Sequence, residues 1–275
     1  MSLSYDEALA FLYPRTTTIK FGLERTERLL DALGRPDRLL PVVHVGGTNG
    51  KGSVATLVTE ALREMGWRTG LYTSPHLVSF RERYLVDGVP VSKGAVAMWV
   101  SQLRPLIEET GATFFEVGTA LAFADFAARG AEVAVIEVGL GGRLDSTNVV
   151  RPMASAVTKI ELDHQKYLGE TLAAIAAEKA GIAKPAAPFV VGETRPELIE
   201  VLRREGGASV RRLDPGATLD LRLVPGGASY TGPLRLVGPH QRRNAAIARA
   251  LLEALPEAYS PSEDQIGRAF ARAFI

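Results

Sequence analysis

Cysteine is absent from the 275 residues, which excludes a disulfide framework and a thiolate metal centre. Any metal must therefore be held by oxygen and nitrogen ligands. No run of 18 uncharged apolar residues occurs, so no membrane-spanning helix is expected. The opening MSLSYDEALAF places Asp6 and Glu7 ahead of any apolar run, unlike a secretory leader, and a cytoplasmic location is the expectation. An excess of charge of one sign is also lacking. Thirty-two Lys and Arg against 31 Asp and Glu leave +1, too little to draw nucleic acid or an anionic membrane by overall field. Any anion must be gripped locally. What is present is an ordinary globular mixture, 46% hydrophobic and 23% charged, long enough for two average domains or one large α/β domain.

Ser4 and Glu7 form a capping-box pattern before Ala8, Leu9 and Leu12, and residues 23–33 repeat apolar side chains at helical spacing. PVVHVGG (41–47) then reads as a strand ending in glycines, and residues 53–66 as a helix stopped by Gly66. TGLYT, AEVAVIEVG, ASAVTKI and APFVVG are further strands, separated by helical stretches at 93–110, 117–129 and 171–183. Near-continuous apolar strands alternating with helices predict a doubly wound, mostly parallel sheet covered on both faces. Residues 219–237 alternate by twos around Pro225-Gly226-Gly227 and predict a small appended β-hairpin. Helices at 241–255 and 262–274 follow, the second without a stop signal, so a shortened chain is the expectation.

GGTNGKGS (46–53) lies between the predicted strand and helix, where backbone N–H groups and a helix N-terminus can wrap phosphates. Lys51 would meet the β- and γ-phosphates. The strict pattern G-x-x-x-x-G-K-[ST] is not met: Val45 stands at its first position, and the hydroxyl comes one place late, at Ser53. The bland alternative is a glycine-rich turn with an exposed lysine. Three glycines around Lys51 favour a variant P-loop that binds a nucleoside triphosphate.

GTNGKGS is followed in order by YTSPHL, FRERY, TFFE, EVGLGGRLDSTN, LDHQKYLG, EKAGIAK and HQRRNAAIA. This series resembles folylpolyglutamate synthases and dihydrofolate synthases of the Mur ligase superfamily, from about Lys20 to the last residue. The resemblance implies ATP-dependent amide formation in folate biosynthesis and polyglutamylation. ATP phosphorylates a carboxylate of dihydropteroate or of a folate or tetrahydrofolate, and the amine of L-glutamate attacks the acyl phosphate. Magnesium, at two sites, would accompany the nucleotide. Family members carry a further C-terminal α/β domain, so residues 1–275 are expected to be the ATP-binding domain alone, monomeric, binding Mg-ATP weakly and not ligating glutamate.

By the same resemblance Gly47, Thr48, Asn49, Gly50, Lys51, Gly52, Ser53 and Asn244 bind ATP, and Ser74, Glu137 and His164 hold metal. Taken singly, a Ser before Pro caps or turns, a Glu at a strand end is solvated, and a lone His is structural. A His on magnesium is unusual, because hard cations favour oxygen. Lys179, from spacing alone a solvated lysine on an alanine-rich helix, matches a lysine that is carbamylated in related ligases, an anionic oxygen ligand beside a metal. Carbamylation needs the neutral amine, so burial or nearby positive charge should depress its pKa. Lys51, His164 and Lys179 are the catalytic candidates.

On the acid side the resemblance assigns Asp145 to the pterin edge and Phe115 to ring stacking, with Lys20, Gly22, Leu23, Ser74, Pro75, His76, Thr113, Leu144 and Ser146 around them. A turn aspartate and a core phenylalanine are their plain readings. Residues 74–83 would form a mobile loop closing over the substrate, in which His76, Arg81 and Arg83 either steer anions or merely solvate it, the bland role being the better reading for the two arginines. The pairs Arg203-Arg204, Arg211-Arg212 and Arg242-Arg243 could suggest nucleic acid. With 25 Arg against 7 Lys, paired arginines follow from composition, and a solvated surface is the better reading. Three other functions compete: a non-catalytic ATP-binding fragment, a P-loop kinase and another Mur-type amino-acid ligase. Only 45 residues precede Gly46, too few for the nucleotide-sugar domain of cell-wall ligases.

Overall fold

The computed structural model describes residues 2–17 and 20–274. In chain order the strands are β1 (Val42–Gly46), β2 (Thr69–Tyr72), β3 (Tyr84–Val86), β4 (Val89–Pro90), β5 (Val133–Glu137), β6 (Ala154–Val157), β7 (Phe189–Val191) and β8 (Leu221–Leu223). The helices are α1 (Tyr5–Leu12), α2 (Glu24–Ala32), α3 (Lys51–Glu64), α4 (Lys93–Thr110), α5 (Phe114–Ala128), α6 (Gln165–Leu168), α7 (Leu172–Ala180), α8 (Pro196–Leu213), α9 (Pro239–Glu253) and α10 (Glu263–Arg272). Among the described residues the eight strands form one sheet, ordered β4-β3-β2-β5-β1-β6-β7-β8. The run from β2 to β8 is parallel, and β3 and β4 continue it antiparallel at one edge.

Strand β1 is central and wholly buried, because alternate side chains serve opposite layers. Val42, with Ala134 and Ile136, packs into the cluster of α1, α2, α4 and α5. Val43 and Val45, with Val133 and Val135, pack into that of α3, α9 and α10. Val157, Phe189 and Val191 meet α7 and α8. Each such fully buried valine, isoleucine or phenylalanine contributes about 1.5–3 kcal/mol, which holds the strand ends, and hence the site, rigid. The doubly wound, mostly parallel fold expected from the sequence is the one found.

Capping boxes at Ser4/Glu7 and Thr113/Glu116 start α1 and α5; the second begins α5 at Phe114, three residues before its apolar periodicity suggests. Helix α10 stops at Arg272 rather than running on to Phe274.

The appended hairpin is misplaced in the sequence reading. Residues 219–237 supply one strand, β8, parallel to β7, and no returning partner. The carbonyls of Val224, Pro225 and Ala228 accept from Arg243, and those of Tyr230 and Gly232 from Arg242. Guanidinium groups of α9 thus take the place of a second strand, so this pair is structural rather than merely solvated. The antiparallel hairpin of the fold is β3–β4, turned by Asp87 and Gly88 at φ 51° and 76°. That Asp-Gly pair is the short-hairpin signal that Pro-Gly-Gly lacks.

Candidate functional site

Gly46 ends β1, and Lys51 opens α3, two residues earlier than periodicity alone suggests. Gly50 caps the helix at φ 89°, and a Cβ there would lie 2.4 Å from Asn244 Oδ1. Gly47 stands at φ 136°, where a Cβ would lie 1.9 Å from Thr158 Oγ1. Both positions require glycine. The loop is held from β6 and its extension: Thr48 N donates to Lys159 O at 2.7 Å, and Thr158 Oγ1 donates to Asn49 O at 2.7 Å.

Around this loop lie one carboxylate and two ammonium groups. Glu137, at the end of β5, is 4% exposed and accepts from Ser74 N at 3.0 Å. Burial pushes its carboxyl up to about 7, against the pull of Lys51, whose Nζ lies 4.0 Å away. Lys51 Nζ donates to Thr48 O at 3.1 Å. Lys179, from the last turn of α7, is 2% exposed and donates to Gly47 O at 2.8 Å. Burial first, and the charge of Lys51 second, bring its pKa down to about 8. A buried ammonium beside another cation gives up its proton more readily than a free lysine. His164 caps α6 at φ 45° with an exposed ring, its Nε2 3.5 Å from Asp163 Oδ1. Among the described residues no cluster of three His, Cys, Asp or Glu is gathered as a metal site. Ser74 and Glu137 do adjoin through the Ser74 backbone N–H, and a carboxylate and a hydroxyl-bearing residue are of the oxygen-donor type suited to a hard divalent cation carried by phosphates.

Two cavities open on either side of the loop. One, of about 400 Å³, is lined by Lys20, Gly22, Lys51, Ser74, Pro75, Thr113, Phe115, Leu144, Asp145, Ser146 and His164 of the expected set. Leu23 and His76 do not line it. Leu23 caps α2, and His76 Nδ1 accepts from Arg83 Nε at 2.7 Å. The wall also includes Phe21, which lies within the expected 20–23 segment, Arg83, and Glu116, Gly139, Leu140 and Asp163, the last four not singled out by the sequence. Arg83 corrects the reading of a solvating arginine. It is 5% exposed, with its guanidinium 5.2 and 5.7 Å from the ring centres of Phe114 and Phe115. Arg81 instead donates to Val91 O and ties the loop to α4's approach. The same loop is pinned by Glu82, whose carboxylate accepts from Leu77, Val78 and Ser79 N.

Asp145, 9% exposed, accepts from Leu140 N at 2.8 Å and from Thr147 N and Oγ1 at 2.9 and 2.5 Å. Burial raises its pKa and these donors oppose that. Phe115, 37% exposed, offers a ring edge or face to the cavity.

The other cavity, of about 880 Å³, is lined by Asn49, Gly50, Ser53 and Asn244, with Lys159, the 192–194 turn, residues 226–229 and the start of α9. Asn244 Nδ2 donates to Gln241 Oε1 at 3.0 Å. Arg243 donates to Gly192 O at 2.9 Å and so shapes the far wall. No sequence pattern marks that contact, since it joins residues 51 apart. No helix among the described residues is long and apolar enough to cross a membrane.

The Mur ligase middle domain family matches residues 45–252. A probable bifunctional folylpolyglutamate synthase/dihydropteroate synthase of Haloferax volcanii is 42% identical over 272 residues, covering 90% of this chain and 32% of that protein. The dihydrofolate synthase/folylpolyglutamate synthase of Bacillus subtilis is 37% identical over 270 residues, covering 90% of this chain and 63% of the relative. The chain thus spans from about a third to under two thirds of the length of these curated relatives. A solved structure of E. coli FolC in complex with DHPP and ADP superposes with a TM-score of 0.83 at 31% identity, covering 100% of this chain and 67% of that one. The chain therefore belongs to the Mur ligase middle domain family, in its folylpolyglutamate synthase and dihydrofolate synthase group.

Proposed function

We propose that this chain provides the nucleotide and acid sites of an ATP-dependent ligase that joins L-glutamate to dihydropteroate, to a folate, or to both. The observation that carries this reading is the junction at the loop. Lys51 lines the smaller cavity, while Asn49, Gly50 and Ser53 of the same loop line the larger one. A triphosphate held by the loop from the larger cavity would bring its terminal phosphate to an acid held in the smaller one. The DHPP and ADP of the E. coli relative are ligands of these two classes.

A carboxylate is a poor electrophile until one oxygen becomes a phosphate leaving group, and two anions meet only where positive charge is fixed in place. Lys51 supplies that charge between the cavities. Glu137 and Ser74 would hold the magnesium that travels with the nucleotide and neutralises its phosphates. His164 and Lys179, the latter carrying a carbamate, would serve a second one. The depressed pKa of Lys179 supplies the neutral amine that carbon dioxide needs. Asp145 would accept from the donor edge of the pterin, Phe115 would stack on it, and Lys20 and Arg83 would face the acidic end. Asn244 would meet the base or phosphate.

Calorimetric titration with Mg-AMPPCP and with dihydropteroate tests the two sites. Both should bind, Lys51→Ala should lose the nucleotide, and Asp145→Ala should weaken dihydropteroate alone by tenfold or more. A native chain that takes up neither ligand overturns the reading. Radiolabelled glutamate incorporation tests the reaction. For the carbamate, intact mass with and without bicarbonate should differ by one carbon dioxide, and full ligase activity of Lys179→Ala in the full-length enzyme that carries this domain would refute it.

A further inference from the structure

We propose that His44 is a positioning residue for the acid site, fixing the carboxylate of Asp145 through the hydroxyl of Thr147; this rests on the reading of Asp145 as a substrate contact. His44 lies in the middle of β1 and is fully buried, between valines. Its Nε2 is 2.9 Å from Thr147 Oγ1, which is 2.5 Å from Asp145 Oδ1. The direction of these bonds follows from the acceptor at the end. The Asp145 oxygen that already accepts Thr147 N is an acceptor, so the single hydroxyl proton of Thr147 points to it. Thr147 Oγ1 must then accept from His44, which carries its proton on Nε2.

His44 Nδ1 has no protein partner, and neither has Ser155 Oγ on the adjacent strand, at the residue in register with His44. A half-satisfied imidazole in a central strand destabilises relative to a leucine there, by the cost of a buried unpaired polar atom. Stability therefore gives no reason for a histidine at this position. What it does is hold the Thr147 rotor in one direction and polarise the bond that the hydroxyl makes to Asp145. The carboxylate is then fixed at both oxygens, Oδ1 by Thr147 and Oδ2 by Leu140 N, in a residue that lines the smaller cavity.

The experiment uses the 275-residue chain with Mg-AMPPCP and dihydropteroate as probes. Long-range 1H–15N correlation on histidine-labelled protein should show His44 neutral and protonated on Nε2. His44→Leu should raise the dihydropteroate Kd about tenfold, the effect of one buried hydrogen bond, and leave that of Mg-AMPPCP within about twofold. Thr147→Val should reproduce this pattern. His44→Gln, whose amide can donate in place of Nε2, should recover most of the loss. An Nδ1-protonated or charged His44 at neutral pH overturns the proposal, as does native dihydropteroate affinity in both His44→Leu and Thr147→Val. If the native chain has the expected tautomer yet binds no dihydropteroate, the relay stands and the substrate reading falls.

Discussion

Glu137 and Lys179, both beside the glycine loop, carry opposite shifts, the acid pushed up to about 7 and the amine down to about 8, both chiefly by burial. Shifted titratable groups gathered in one cleft are the mark of a functional site. His44 has a different consequence, for stability. Burial, with the charge of Lys184 second, lowers its pKa to about 3. The unfolded chain, near the ordinary 6.5, takes up the proton first as pH falls. Native stability is therefore lost progressively from about pH 6.5 down to about 3, by on the order of 5 kcal/mol from this group. Urea unfolding across that range should show the native chain losing stability faster toward acid than His44→Gln does. Parallel pH profiles for the two would contradict the assignment.

The loop and the segment after β8 owe their shapes to specific contacts. Adding a methyl group at Gly47 meets Thr158 Oγ1 at a φ that side chains avoid. Gly47→Ala should cost about 1–3 kcal/mol in denaturant unfolding, while Gly227→Ala, with open space around it, should cost little. Arg243 binds four carbonyls, those of Gly192, Val224, Pro225 and Ala228. Arg243→Ala should accelerate amide exchange at Val224, Ala228 and Tyr230 far more than in β1, and an unchanged exchange pattern would show that the guanidinium does not hold the segment. Periodicity placed α4 residue for residue and the strand ends within a few positions, because alternation and helical spacing are local consequences of burial. It failed where a side chain from another element replaces a backbone partner, as at residues 224–232.

For the molecule as a unit, two cavities share one rigid loop between sheet and helix. Ligand that binds only the folded form raises stability by about 2.7 kcal/mol at a concentration a hundredfold above its Kd. Mg-AMPPCP should accordingly raise the melting temperature of the native chain and leave that of Lys51→Ala unmoved; an equal rise in both would place the nucleotide elsewhere.

From the sequence alone came the parallel α/β class and the glycine loop with its lysine, written at a strand end, and the family resemblance supplied much of the smaller cavity's wall but little of the larger one's beyond the loop itself and Asn244. The chain could not show which way distant side chains would pair. Lys179 reaches Gly47 across 132 residues and His44 reaches Thr147 across 103, while Arg83 turns inward where its neighbour Arg81 turns to Val91. Those choices depend on which polar groups the packed layers leave without water. Burial then compels each to find a partner that only the folded arrangement brings within reach.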